Sequence, residues 1–111
     1  MLAEDDPLIR ITVAALVTEF GYDVTEAASA ADALAAVKGG ADLLIADLNL
    51  PDGSGLDLAA EAVACCPGVG VIIATGEGEQ PETGYLWLTK PFTASRLHDA
   101  IARAISAGAA R

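Results

Sequence analysis

The chain of 111 residues has the size of one ordinary domain, long enough for a single core and too short for an added effector domain. Sixteen acidic against six basic residues give a net charge of -10, and the scattered basic residues leave no electrostatic footprint for nucleic acid. Hydrophobic residues make up 53% of the chain, yet its longest apolar runs, such as Leu43 to Ala46 and Val69 to Thr75, fall far short of the roughly 20 residues of a membrane-spanning helix.

Met1 to Glu4 is a short apolar entry that ends in the acidic cluster Glu4, Asp5, Asp6. It has no basic flank, long apolar run or cleavage site, so export is not expected and a cytoplasmic location is. Asp6 is a natural N-cap with Pro7 at the first helical position; Ile9, Val13, Leu16, Val17 and Phe20 then mark one apolar helix face that stops at Gly21. Tyr22 to Ala27 is expected to be a short extended run, and Ser29 with Asp32 opens a helix over Ala30 to Lys38, closed by Gly39 and Gly40. Leu43 to Ala46 is continuously apolar, as in a parallel strand covered on both faces, and delivers Asp47 at its carboxyl end.

Pro51, Asp52 and Gly53 form a turn, and Ser54 to Asp57 opens a helix with Leu58, Ala62 and Cys65 on one side, ended by Pro67 and Gly68. Cys65 and Cys66 are adjacent, a pairing that strains a disulfide, and no CxxC or histidine makes them a metal site; Cys65 is expected in the core and Cys66 to be incidental. Val69, Val71, Ile72 and Ile73 make the next strand, ending at Ala74 and Thr75. Gly76 to Gly84, with three glycines and a proline, reads as a loop with at most one helical turn. Tyr85 to Leu88 is the last strand, and Thr93 caps a final helix with Leu97, Ile101 and Ile105 facing inward and His98 on the surface.

Strands alternating with helices imply a parallel sheet with helices on both faces, whose ligands sit outside the carboxyl ends of the strands. Glu4 with Asp5, Asp47, Thr75 and Lys90 all fall at such ends. Three carboxylates gathered there repel one another unless a cation compensates, and an all-oxygen set with Asn49 placed to add a carbonyl suits Mg²⁺. A carboxylate so neutralised is a nucleophile toward phosphorus: Asp47 would become an aspartyl phosphate, with the Lys90 ammonium and the Thr75 hydroxyl on its phosphoryl oxygens. Singly, the acids read as a helix cap, Asp47 as a turn residue, Thr75 as strand-end punctuation and Lys90 as a surface lysine. The signal is their joint order. Ser54 lacks a full G-x-S-x-G pattern, and Gly76-Glu77-Gly78 lacks the third glycine of a dinucleotide fingerprint.

The series Glu4-Asp5-Asp6-Pro7-Leu8-Ile9-Arg10, Asp47-Leu48-Asn49-Leu50-Pro51-Asp52-Gly53-Ser54-Gly55, Ile73-Ala74-Thr75-Gly76 and Lys90-Pro91-Phe92 resembles, end to end, the receiver domain of two-component response regulators. The resemblance implies a doubly wound, flavodoxin-like α/β fold with a five-stranded parallel sheet. It also implies a signalling domain that assists its own phosphorylation and dephosphorylation, not an enzyme, charged by the phosphohistidine of a sensor histidine kinase or histidine phosphotransfer protein in a Mg²⁺-dependent way. By its motif Glu4 and Asp5 match the acidic pair at the metal, Asp47 the phosphoacceptor and metal ligand, Asn49 the carbonyl ligand, Thr75 the switch hydroxyl and Lys90 the phosphate-pairing lysine. The Lys90–Pro91 bond is often cis in such domains.

Two departures accompany the match. Only 14 residues separate Thr75 from Lys90, about two helical turns fewer than usual, so the fourth helix is expected to be shortened or absent. Trp87 stands where the family carries a Tyr or Phe that turns inward with Thr75, and its larger indole is expected to stay against the core or a partner. The domain is expected to span 1–111 with its first strand clipped. The competing reading is a receiver-like interaction module that signals without phosphorylation; a Mg²⁺-dependent phosphatase ranks third, because Asn49 stands where its second acid belongs.

Overall fold

The computed structural model describes residues 1–76 and 84–110. Its strands are Leu2–Ala3 (β1), Glu26–Ala27 (β2), Leu43–Asp47 (β3), Asn49–Leu50 (β4), Gly53–Ser54 (β5), Gly70–Thr75 (β6) and Leu86–Thr89 (β7). Its helices, among the described residues, are Pro7–Glu19 (α1), Ala30–Lys38 (α2), Gly55–Cys65 (α3) and Ala94–Ala109 (α4). Five strands form one sheet in the order β2-β1-β3-β6-β7, every neighbouring pair parallel, while β4 and β5 make a small antiparallel hairpin after Asp47. The order reverses between β1 and β3, and a crevice for a ligand opens at such a reversal.

Continuous apolar strands are explained by a sheet covered on both sides. Leu44, Ala46, Val71 and Ile73 face one cluster with Ala33 and Val37 of α2 and Leu58 of α3. Ile45 and Ile72 face the other, with Val13 and Val17 of α1 and Leu97 and Ile101 of α4. The expected caps form: Asp6 accepts from the N–H groups of Leu8 (2.9 Å) and Ile9 (3.2 Å), Ser29 from Asp32 (3.2 Å) and Thr93 from Arg96 (3.1 Å). Gly21, at φ 98°, turns the chain out of α1 in a conformation that favours glycine. Among the described residues no helix is long and apolar enough to cross a membrane.

Three expectations need correction. The second strand is confined to Glu26–Ala27, because β1 offers only Leu2 and Ala3 as ladder partners; Tyr22 and Val24 pack on the core without joining the ladder. The final strand begins one residue late, at Leu86. The cysteines exchange roles: Cys65 is exposed, whereas Cys66, where the chain leaves helical geometry at φ -136°, turns inward against the α2–α3 cluster. The expectations for the loop after Gly76 and the fourth helix fall on residues 77–83, outside the described residues.

Asp52 takes on a role beyond its turn. Its carboxylate accepts from the N–H groups of Ala30 (2.7 Å) and Ala31 (3.0 Å), so the segment after Asp47 is tied to the N-terminus of α2. Those two hydrogen bonds hold its carboxyl below the usual carboxylate range. A folded value below the unfolded one stabilises the protein above the unfolded value, and the effect is lost as pH falls through the folded value. The stability gap between the wild type and Asp52→Asn, read by urea unfolding, should therefore be full above about pH 4, the unfolded carboxylate value, and close at lower pH.

Candidate phosphoryl-transfer site

The register brings the site together. Ala3 pairs with Ala46, Asp47 with Ala74 and Thr75 with Thr89, so Glu4, Asp47, Thr75 and Lys90 emerge side by side at the carboxyl ends of β1, β3, β6 and β7. Among the described residues the two buried polar side chains are Glu4 (4% exposed) and Thr75 (1%), and both belong to this cluster. Asp5 is exposed and Asp47 half-buried; carboxylate oxygens of Glu4, Asp5 and Asp47 lie within 4.8 Å of one another. Lys90 Nζ lies 3.0 Å from Glu4 Oε2 and 3.3 Å from Asp47 Oδ2. Its backbone N–H donates to the Thr75 carbonyl at 2.7 Å, and the Lys90–Pro91 bond is cis.

Burial pushes the Glu4 carboxyl above its usual range, helped by the nearby charge of Asp47 and opposed by Lys90 and by the Asp6 N–H, which donates to Glu4 Oε1 at 3.2 Å. Burial also works against the charge on Lys90, but the hydrogen bond to Glu4 and the charge of Asp47 outweigh it and hold the ammonium above its ordinary range. The one ammonium pairs with Glu4 and Asp47, two of the three carboxylates, so the cluster holds more acidic groups than the cation compensates. Hard oxygen donors and uncompensated charge fit a divalent cation such as Mg²⁺, which accepts few protein ligands and keeps several waters.

The neighbours hold these groups in place. Asn49 donates its N–H toward Asp47 Oδ1 at 3.4 Å from the start of the β4–β5 hairpin. Gly55, at the start of α3, donates to the Leu48 carbonyl at 2.8 Å and lies so close that a Cβ there would sit 2.2 Å from the Asp47 carbonyl oxygen. Arg10 binds the Glu4 carbonyl at 2.9 Å and pairs with Glu26 at 3.5 Å, closing the corner between α1, β1 and β2. Sequence reasoning missed Gly55, Asp52 and Arg10; the glycine, following Gly53 by two residues, was the only one of the three with a local signal. Trp87 is half-buried, opposite Ile73 in the ladder, and packs against the α2–α3 cluster, the core placement of its two expected ones.

The family model for the response regulator receiver domain matches residues 1–102. The transcriptional regulatory protein GlrR of Escherichia coli (strain K12) is 32% identical over 117 residues, covering 98% of this chain and 26% of GlrR. The chain spans about a quarter of the length of the curated relatives it matches. A response regulator receiver domain protein from Clostridium thermocellum superposes with a TM-score of 0.85 at 30% identity, over 95% of this chain and 91% of that one. The receiver domain of the sensor histidine kinase PA1611 from Pseudomonas aeruginosa PAO1 has a magnesium ion coordinated in its active-site cleft. It superposes with a TM-score of 0.83 at 25% identity, over 95% and 94% of the two chains.

Proposed function

The chain belongs to the response regulator receiver domain family, phosphoacceptors of two-component signalling, and on that premise we propose that Asp47 is the residue that takes the phosphoryl group. The observation that carries the proposal is the placing of Asp47 Oδ2 3.3 Å from Lys90 Nζ, inside a cluster that also holds the carboxylates of Glu4 and Asp5.

In the step itself an Asp47 carboxylate oxygen attacks phosphorus while the bond from phosphorus to the donor imidazole breaks, and the histidine leaves with that electron pair. Lys90 offsets charge on the phosphoryl oxygens, and the Thr75 hydroxyl donates to one of them. Glu4, Asp5, Asp47 and the Asn49 carbonyl would hold Mg²⁺, which when bound supplies charge neutralisation and orientation for the phosphoryl oxygens. The domain thus assists its own phosphorylation and dephosphorylation without turning over a separate substrate. Thr75 and Trp87 form the switch pair in this reading: Thr75 follows the phosphoryl group, and the packing of Trp87 restricts the answering movement of the aromatic ring.

The donor is a sensor histidine kinase or histidine phosphotransfer protein, in the cytoplasm, with neither nucleic acid nor membrane as a direct partner of residues 1–111. Leu8 (75% exposed) and Ile11 (61%) give α1 an apolar surface directly after Asp5 and Asp6, suited to a helical donor. Incubation with Mg²⁺ and acetyl phosphate should add one phosphoryl group per chain by intact mass, and Asp47→Asn should add none. A chain that signals without phosphorylation would gain nothing as wild type, and equal gain by Asp47→Asn would remove Asp47 from its role.

A further inference from the structure

Cys65 and Cys66 take no part in the chemistry above. Helix α3 begins at Gly55 beside Asp47, and its 11 residues carry the chain about 16 Å toward the opposite end of the sheet. There the two Sγ atoms lie 3.5 Å apart, Cys65 exposed and Cys66 half-buried. Cys65 Sγ is 3.4 Å from the Ala62 carbonyl oxygen, and Cys66 Sγ is 3.3 Å from that of Val37 at the end of α2. We propose that this pair is a vicinal dithiol site that chelates a monosubstituted trivalent arsenical.

Three considerations select that ligand. Consecutive Cα atoms across a trans peptide are about 3.8 Å apart, below the roughly 4.4–6.8 Å that a relaxed disulfide spans, so both sulfurs stay available as thiols. Bonds of about 2.3 Å meeting at the tetrahedral angle would place two sulfurs about 3.8 Å apart, whereas the lone pair of trivalent arsenic closes its bond angles below that value and draws the sulfurs closer together, toward the 3.5 Å seen here. Among the described residues the one group of three or more metal-ligating side chains is Glu4, Asp5 and Asp47, so Cys65 and Cys66 form a two-ligand site. A tetrahedral zinc site wants four ligands, whereas an arsenical R–As(OH)₂ brings its own third substituent and needs two sulfurs. Two As–O bonds break and two As–S bonds form. Each thiol proton leaves with a hydroxide as water, and arsenic stays trivalent throughout.

The test uses the reduced full chain and phenylarsine oxide, whose hydrate is the required dihydroxide. Intact mass should show one phenylarsenic group per chain, retained in excess glutathione and released by 2,3-dimercaptopropanol. Cys65→Ser, at an exposed position that leaves the fold undisturbed, and Cys66→Ser should each lose the glutathione-resistant adduct, while phosphoryl uptake from acetyl phosphate is unchanged in Cys65→Ser. Loss of the wild-type adduct to glutathione, or its retention by Cys65→Ser, would overturn the proposal.

Discussion

Replacing Lys90 with methionine should lower the rate of phosphoryl uptake by about a hundredfold or more while increasing the affinity for Mg²⁺. The two effects have one origin. The ammonium sits 3.0 Å from Glu4 and 3.3 Å from Asp47, so before the phosphoryl group arrives it neutralises the same carboxylates that a cation requires. Removing it leaves those charges to the metal alone and strengthens binding, but strips a donor from the phosphoryl oxygens as charge shifts onto them. Single-turnover phosphorylation by acetyl phosphate reads the first effect and calorimetric titration with MgCl₂ the second. A parallel loss of both would mean that Lys90 acts only by holding the fold. Stability provides a third readout. Burial already raises the Glu4 carboxyl, and loss of Lys90 raises it further. A folded value above the unfolded one gives stability that is present below the unfolded value and lost as pH rises through the folded value. Without Mg²⁺, Lys90→Met should therefore unfold more easily as pH rises above about 4.3, the ordinary glutamate value.

What the sequence revealed of this site was whatever a strand or helix pattern carries locally. The run Leu43 to Ala46 identified a doubly covered strand and hence placed Asp47 at its carboxyl end, and Asp6 with Pro7 marked the start of α1 immediately after Glu4 and Asp5. Contacts between elements distant in the chain were not legible. Asp52 looked like any turn aspartate, since its partners Ala30 and Ala31 lie more than twenty positions earlier and offer only their N–H groups. The helical spacing of Leu58, Ala62 and Cys65 put the wrong cysteine inward, because periodicity assumes that the helix continues, and the chain departs from it at Cys66. Tyr22 to Thr25 had the composition of a strand, but a ladder needs a partner, and β1 supplies two residues.

Gly55→Ala should destabilise the protein by about 3 kcal/mol, the upper part of the range for overpacking, and lower its melting temperature by more than about 10 °C. Propensity alone argues for the opposite sign, since alanine is favoured over glycine in helices by about 1 kcal/mol. Packing decides the matter. A Cβ on Gly55 would lie 2.2 Å from the Asp47 carbonyl oxygen, 3.0 Å from its carbon and 3.2 Å from the Leu48 Cα, and all three are backbone atoms that no rotamer change moves aside. Relief requires α3 to back away from the end of β3, which breaks the 2.8 Å bond from the Gly55 N–H to Leu48 and shifts Asp47 relative to Lys90. Displacement of a reacting group by about 1 Å costs on the order of a hundredfold in rate, so phosphoryl uptake should fall along with stability. Gly68→Ala is the control, because nothing lies within 4 Å of a Cβ at that position. Thermal melts of the two variants beside the wild type separate the readings: equal melting temperatures for Gly55→Ala and Gly68→Ala, the latter in the open turn after α3, would mean that the approach of α3 to Asp47 does not restrict residue 55.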